Sequence, residues 1–250
     1  MGNKTVQTAV ILAAGMGTRL RPLTNDRPKC LVEVEHKPML LRMLEEVAQA
    51  GFERVLIVTG YKADVLQAWA ESIVLPIQIE WVHNELYDTT NNIYSVYKLK
   101  EVVQEGFVLI EADLLLEPGA LEHFRQPDRL ALAAFNPAIH SGTTADVDES
   151  GRVKSLFLKR VTSTVGAYKT VNITSFSPTS WALFRSYISM LIERGEHQIF
   201  YEEAIQSLID IGSLQFDCVD FSCVWWDEID SVDDLDRVSM DLRKLSEIEV

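Results

Sequence analysis

The chain has 250 residues, 47% of them hydrophobic and 24% charged, with a formal net charge of −14. That balance suits one globular domain with a real core, and the acidity argues against general nucleic-acid binding. Apolar runs are strand-sized and broken by charge, which excludes a transmembrane helix, and "MGNKTVQT" has neither an export signal's apolar core nor the myristoylation pattern.

In chain order, "TAVILA" (8–13) predicts a fully buried strand, followed by a glycine-containing loop. "PMLLRMLEEVAQAG" (38–51) predicts a helix that starts with Pro in its first turn and stops at Gly51. Strands follow at 54–60 and 77–82, with a helix between them at 62–72. A helix over 92–104 leads to strands at 107–113 and 129–135. After residue 140 the pattern turns antiparallel. A hairpin is expected over 143–158, with its turn at Glu-Ser-Gly, and a strand over 167–177. Helices at 179–194 and about 200–211 precede a strand over 214–221. The last helix, 231–246, has Ser231 at its N-cap and Asp234 three residues on. Strand–helix alternation of this kind implies an α/β doubly wound, mainly parallel sheet, here with a small antiparallel insertion. One domain over 1–250, with a β-rich insert at about 140–178, is the simplest organisation.

Charge is unevenly spread. Over residues 1–42, Lys4, Arg19, Arg21, Arg27, Lys29, Lys37 and Arg42 face only Asp26, Glu33 and Glu35, leaving +4 there and −18 on the remainder. A basic patch around glycines on an acidic protein suits a small polyanion. Cys30, Cys218 and Cys223 have no metal-ligand spacing and no disulfide framework, so a reduced cytoplasm is the expected setting. The five histidines show no ligand spacing either.

In "LAAGMGTRL", Gly15 and Gly17 let backbone N–H groups approach phosphate oxygens. Thr18 and Arg19 add donors, and Lys29 after Pro28 adds a compact charge. Leu20 stands where a dinucleotide fingerprint needs its third glycine, and no P-loop lysine follows a glycine anywhere in the chain. Asp113 is expected at the end of a buried strand, where doubly wound sheets place ligands. Glu228 and Asp230 end another strand, with side chains on one face. Hard carboxylates from two strands can hold magnesium together with phosphate oxygens. Glu111 shares the parity of Asp113, but its register leaves open that it points away.

The stretch "LAAGMGTRLRPLTNDRPKCLVEVEHKPML" resembles the signature of nucleotidyltransferases that activate sugar phosphates and related small phosphates. The resemblance implies a glycosyltransferase-A-like, Rossmann-like fold, a nucleoside triphosphate, Mg2+ and release of pyrophosphate. By position, Leu12, Ala13, Ala14, Gly15, Gly17 and Thr18 would line the nucleotide, Arg19 the leaving pyrophosphate, and Lys29 the reacting phosphates. It also implies Asp113 and Asp230, with Glu228, as metal ligands.

"HNELYDTTNNIYSVYKLKE" (83–101) resembles phosphocholine cytidylyltransferases, and lacks the Gly-rich, Gln-containing stretch of hexose-phosphate enzymes. "FVLIEADLLLEPGALEHF" and "VWWDEIDSVDDL" resemble cytidylyltransferases of 2-aminoethylphosphonate. Gly60, Tyr61, Asn84, Asn92 and Ser95 are the candidates for the nucleoside side, with turn capping as the plainer alternative. Tyr94, Lys159, Lys169, Trp226 and Glu228 are the candidates for the acceptor side. Trp81, Tyr87, Tyr94, Trp225 and Trp226 supply aromatics that can face an alkylammonium group.

The expected activity is transfer of CMP from CTP to a small zwitterionic phosphate or phosphonate. A hexose-1-phosphate nucleotidyltransferase using UTP or dTTP, or a catalytically silent domain of the same fold, stand as alternatives. No nucleic-acid or membrane partner is expected, and a homodimer is an open option.

Overall fold

The computed structural model describes residues 5–74, 77–136, 141–158 and 168–248. In chain order the first half runs β1 (Thr8–Ala13), a short hairpin of β2 (Glu33–Val34) and β3 (Lys37–Pro38), α1 (Met39–Gln49), β4 (Arg54–Thr59) and α2 (Ala63–Ala70). It continues with β5 (Gln78–His83), α3 (Asn92–Tyr97), β6 (Phe107–Glu111), β7 (Leu114–Leu116) and β8 (Arg129–Ala134). The second half runs β9 (Thr144–Val147), β10 (Val153–Phe157), β11 (Tyr168–Phe176), α4 (Pro178–Glu193) and α5 (Tyr201–Asp210). It ends with β12 (Asp217–Asp220), β13 (Trp226–Glu228) and α6 (Val232–Ile248).

Nine strands form one sheet in the order β10-β9-β11-β6-β1-β4-β5, with β8 paired to both β11 and β12. The pairs β6–β1, β1–β4 and β4–β5 are parallel, and so is β8–β12. β11 runs antiparallel between β6 and β8. The expected doubly wound, mainly parallel sheet with a small antiparallel portion is therefore the observed architecture.

Alternation along β1 shows why the sheet is covered twice. Ala9, Ile11 and Ala13 pack with Leu40, Leu44 and Val47 of α1 on one face. Val10, Leu56 and Val58 pack with α3, α4 and α5 on the other. Adjacent side chains of a strand point to opposite faces, so an unbroken apolar run is what a two-sided core requires. On the second face Trp181 is 1% exposed and sits edge-on to Phe107, while its indole N–H donates to the Val103 carbonyl at 2.8 Å.

Local signals set the helix ends. Ser177 accepts from the Ser180 N–H, with Pro178 in the first turn of α4. At α6, Asp234 Oδ2 accepts from the Ser231 N–H at 2.9 Å, while Ser231 Oγ accepts from the Asp234 N–H at 3.3 Å. The 143–158 hairpin turns where expected, with Asp148 Oδ1 accepting from the Ser150 and Arg152 N–H groups.

Two elements differ from the sequence expectation. The helix expected over 92–104 ends at Tyr97 and tightens into a 3-10 turn over Lys98–Glu101; Leu99 and Val103 are both fully buried at that end. The strand expected over 107–113 stops at Glu111, and the chain turns at Ala112–Asp113 into β7. β7 pairs antiparallel with β13, a contact across more than a hundred residues. Among the described residues, no helix is long and apolar enough to cross a membrane.

Candidate active site

A cavity of about 300 Å³ opens at the C-terminal ends of β1 and β6, the place where parallel sheets bind ligands. Its floor is the loop after β1. Gly17 adopts φ 58°, a left-handed conformation that favours glycine. A Cβ on Gly17 would also lie 2.8 Å from Lys29 Cβ. The Gly17 carbonyl accepts from Leu20 N–H, starting a 3-10 turn over Thr18–Leu20. No backbone N–H from Gly15 to Arg19 donates to another described residue, and such a run of free donors is an anion-binding surface.

Lys29 is the electrostatic centre. Its Nζ donates to Asp113 Oδ2 and Asp230 Oδ1, each at 2.7 Å. Burial alone would lower the Lys29 ammonium's pKa, but the two carboxylates hold it well above the ordinary lysine value. Arg19 also reaches Asp230 Oδ1 at 2.7 Å. Burial raises the Asp230 carboxyl, and the Lys29 and Arg19 cations more than offset it, leaving it below the usual aspartate value.

Behind Lys29, carboxylate oxygens of Glu111, Asp113 and Glu228 lie within 4.8 Å of one another. Burial, then Asp113, pushes Glu228 up to about 7. Burial and the neighbouring Asp113, Glu202 and Glu228 carboxyls raise Glu111 well above its ordinary value. Asp113 Oδ1 is buried without a hydrogen-bond partner among the described residues. Three converging carboxylates with an unsatisfied inward oxygen fit a hard divalent cation. Glu111, whose direction the register left open, therefore faces the cavity. It is held there by Asn92 Nδ2 at 3.3 Å, which also reaches Glu202 Oε2 at 3.4 Å. Asp230, also expected among the metal carboxylates, lies outside that group of three and is bonded to Lys29 and Arg19.

The structure brings most of the sequence-assigned nucleotide residues to this cavity: Leu12 to Gly15, Gly17, Thr18, Arg19, Lys29, Asn84, Asn92, Ser95 and Asp113 all line it. Two of them serve the framework with their polar ends. Asn84 donates to Ser95 Oγ at 3.0 Å and accepts from the Leu86 N–H at 2.9 Å. Asn92 Oδ1 accepts from the Tyr201 N–H at 2.9 Å. Gly60 and Tyr61, also expected on the nucleoside side, do not line the cavity. The Tyr61 hydroxyl donates instead to the carbonyls of Thr24 at 2.9 Å and Asn25 at 3.1 Å. Gly60 is where two loops cross: a Cβ there would lie 2.5 Å from Tyr87 Cβ and 2.7 Å from the Ala14 carbonyl. Gly60→Ala should therefore push the loop after β1 out of place. For the nucleoside triphosphate that the sequence resemblance implies, we expect KM to rise by about tenfold, against a smaller change in turnover, as initial rates over a concentration series would show.

A second cavity of about 120 Å³ adjoins the first through Arg19 and Asp230 and is lined by Lys169, Trp226 and Glu228. Lys169 is 3% exposed, and its Nζ donates to the Thr170 carbonyl at 2.6 Å with Glu228 Oε2 3.8 Å away. Tyr94, assigned to the acceptor side, lines neither cavity; its ring packs 5.5 Å from that of Tyr97 and 6.4 Å from that of His197. Lys159 lies outside the described residues. Among the other aromatics, Trp81 and Trp225 pack against core clusters and Tyr87 lines the first cavity.

Sequence reasoning missed Thr90 and Asn91 on the first cavity and Arg237 on the second, and it offered Tyr87 only as an aromatic for the acceptor's cation. Asn91 carried a signal, as the partner of Asn92 in "NNIYS". Arg237 carried none, since a cation on an amphipathic helix reads as solvated surface. In the structure Arg237 Nη2 donates to Asp227 Oδ1 at 3.0 Å and to Asp234 Oδ1 at 3.1 Å, tying α6 to β13.

A glycine loop with free N–H donors, a lysine between two aspartates and three converging carboxylates suit an enzyme that handles phosphate groups. The chain belongs to the nucleotidyl transferase family, whose model matches residues 8–244. It is 32% identical over 213 residues to a 2-aminoethylphosphonate cytidylyltransferase of Lancefieldella rimae, covering 83% of this chain and 82% of that protein. Among solved structures it is similar to the CTP:phosphocholine cytidylyltransferase from Streptococcus pneumoniae, with a TM-score of 0.78 at 23% identity over 95% of this chain and 99% of that one. A UDP-glucose pyrophosphorylase complexed with UDP-glucose shares the fold at a TM-score of 0.79 and 17% identity, over 96% and 99% of the two chains.

Proposed function

We propose that this nucleotidyltransferase carries CMP from CTP to a small phosphonate or phosphate that also bears an amine, releasing pyrophosphate. The observation that carries this reading is the second cavity. It meets the triphosphate loop at Arg19 and Asp230 and offers a buried lysine beside a carboxylate and an indole. Lys169 provides charge for the acceptor's phosphonate oxygens. Glu228 provides acceptors for a primary ammonium, which needs oxygen partners rather than an aromatic cage. The similarity to the 2-aminoethylphosphonate enzyme supports the same acceptor class.

In this reading the glycine-loop N–H groups hold the phosphates of CTP, and Arg19 neutralises the departing pyrophosphate. Lys29 sits where charge builds around the α-phosphorus. The acceptor oxygen is already anionic, so the residues position the two substrates in line and no general base is needed. Glu111, Asp113 and Glu228, with Asp230 beside them, would hold magnesium, which when bound supplies further positive charge to the phosphate oxygens.

The test is mass spectrometry of products after incubation with each of four triphosphates and four acceptors: 2-aminoethylphosphonate, phosphocholine, phosphoethanolamine and glucose-1-phosphate. We expect a CMP-phosphonate as the dominant product. A dominant UDP- or dTDP-hexose would establish the sugar-phosphate alternative, and no product from any pair would favour a silent domain.

A further inference from the structure

We propose that Thr24 and Tyr61, neither of which reaches the cavity, are positioning residues that hold the glycine loop in its phosphate-binding shape. The inference rests on the proposed triphosphate role of that loop and adds the residues that set its conformation.

The loop after β1 has two carbonyls fixed from behind. The Ala14 carbonyl accepts from the Tyr61 N–H at 3.1 Å, and the Gly17 carbonyl accepts from Thr24 Oγ1 at 2.8 Å. Both pins lead to one residue, because the Tyr61 hydroxyl donates to the Thr24 carbonyl at 2.9 Å. Thr24 is fully buried, and its methyl lies beside Gly17. A peptide plane with its carbonyl held has its N–H direction set as well. Holding the Ala14 and Gly17 carbonyls therefore sets the directions of the next N–H groups, those of Gly15 and Thr18, pointing away from the two pins. Preorganised donors bind without paying for their own ordering, which is what a loop without the third glycine of a dinucleotide site or a P-loop lysine requires.

Such a role differs from simple scaffolding in which ligand it affects. The pins act on donors for the β- and γ-phosphates, so their loss should weaken a triphosphate and spare a monophosphate. Thr24→Val keeps the packed methyl and removes the bond to Gly17. Tyr61→Phe removes the hydroxyl pin from a half-exposed position, so it tests the chain even where Thr24→Val folds poorly. Affinities of both variants and the wild type are measured by calorimetry for each of CTP, UTP, GTP and ATP and the matching monophosphates. We expect Thr24→Val to lose about tenfold in affinity for the preferred triphosphate, the scale of one hydrogen bond. Its monophosphate affinity should stay within about twofold, and Thr24→Ser should restore the triphosphate. Tyr61→Phe should shift the same ratio in the same direction. Unchanged triphosphate affinity in both variants, or equal losses for triphosphate and monophosphate, would overturn the positioning role. A wild type whose binding gains nothing from the β- and γ-phosphates of any base would instead overturn the triphosphate reading beneath it.

Discussion

Replacing Lys29 with alanine should lower turnover by about 10²–10³-fold, the loss expected when one preorganised donor to developing charge is removed. The geometry makes this the most sensitive single position. Lys29 is the one cation bonded to Asp113 and Asp230 at once among the described residues, and it is largely sheltered from water. A charge in such a place acts most strongly as negative charge builds around the α-phosphorus, so triphosphate affinity should change far less than turnover. Single-turnover rates with saturating substrates, beside equilibrium binding of the triphosphate, separate the two effects. Lys29→Met keeps most of the side-chain stem and controls for packing. Normal saturating turnover in both variants, with weakened binding alone, would reduce Lys29 to a nucleotide tether.

Asp113→Asn should be nearly as damaging, by about 10²-fold or more in turnover, because the proposed metal would lose a hard anionic ligand and with it part of the several kcal/mol of transition-state charge stabilisation it supplies. The substitution leaves the side-chain shape intact, and the buried Oδ1 without a protein partner is the atom it alters. Magnesium titrations should show a higher concentration for half-maximal rate. Binding of Mn2+ followed by its paramagnetic resonance gives a readout independent of catalysis. Asp230→Asn should behave differently, since Asp230 Oδ1 is shared by Lys29 and Arg19. Its loss should disturb both cations and reduce turnover with a smaller effect on Mn2+ affinity. Equal, normal turnover of Asp113→Asn and Asp230→Asn at low magnesium would sink the carboxylate assignment.

How far the site was legible varies residue by residue. Arg19, Lys29 and the two glycines stand in one contiguous stretch, and a loop between strand and helix carries its chemistry locally. Tyr61 reads from the sequence as a nucleoside-side candidate, whereas its hydroxyl donates to the Thr24 and Asn25 carbonyls. Sequence spacing carries no signal for a bond between residues 37 apart. Glu111 was ambiguous because parity holds only along an unbroken strand, and β6 ends at Glu111.

By itself the sequence determined what depends on short-range order. The buried run of β1, the helix at 179–194, the Ser231–Asp234 cap of α6 and the Glu-Ser-Gly turn all follow from residues a few positions apart. Their periodicities and caps are energetically local and survive in any context that supplies a core. Tertiary structure alone decided the rest. β7 and β13 are three residues each, too short to be stable or recognisable without one another, and their pairing carries Asp113 toward Asp230. The shared lysine, the three converging carboxylates and the double pin on the glycine loop join residues from distant parts of the chain. Contacts of that kind exist only once the sheet has ordered its strands, since the entropy of closing such long loops is offset by burial of the whole core rather than by the contact itself.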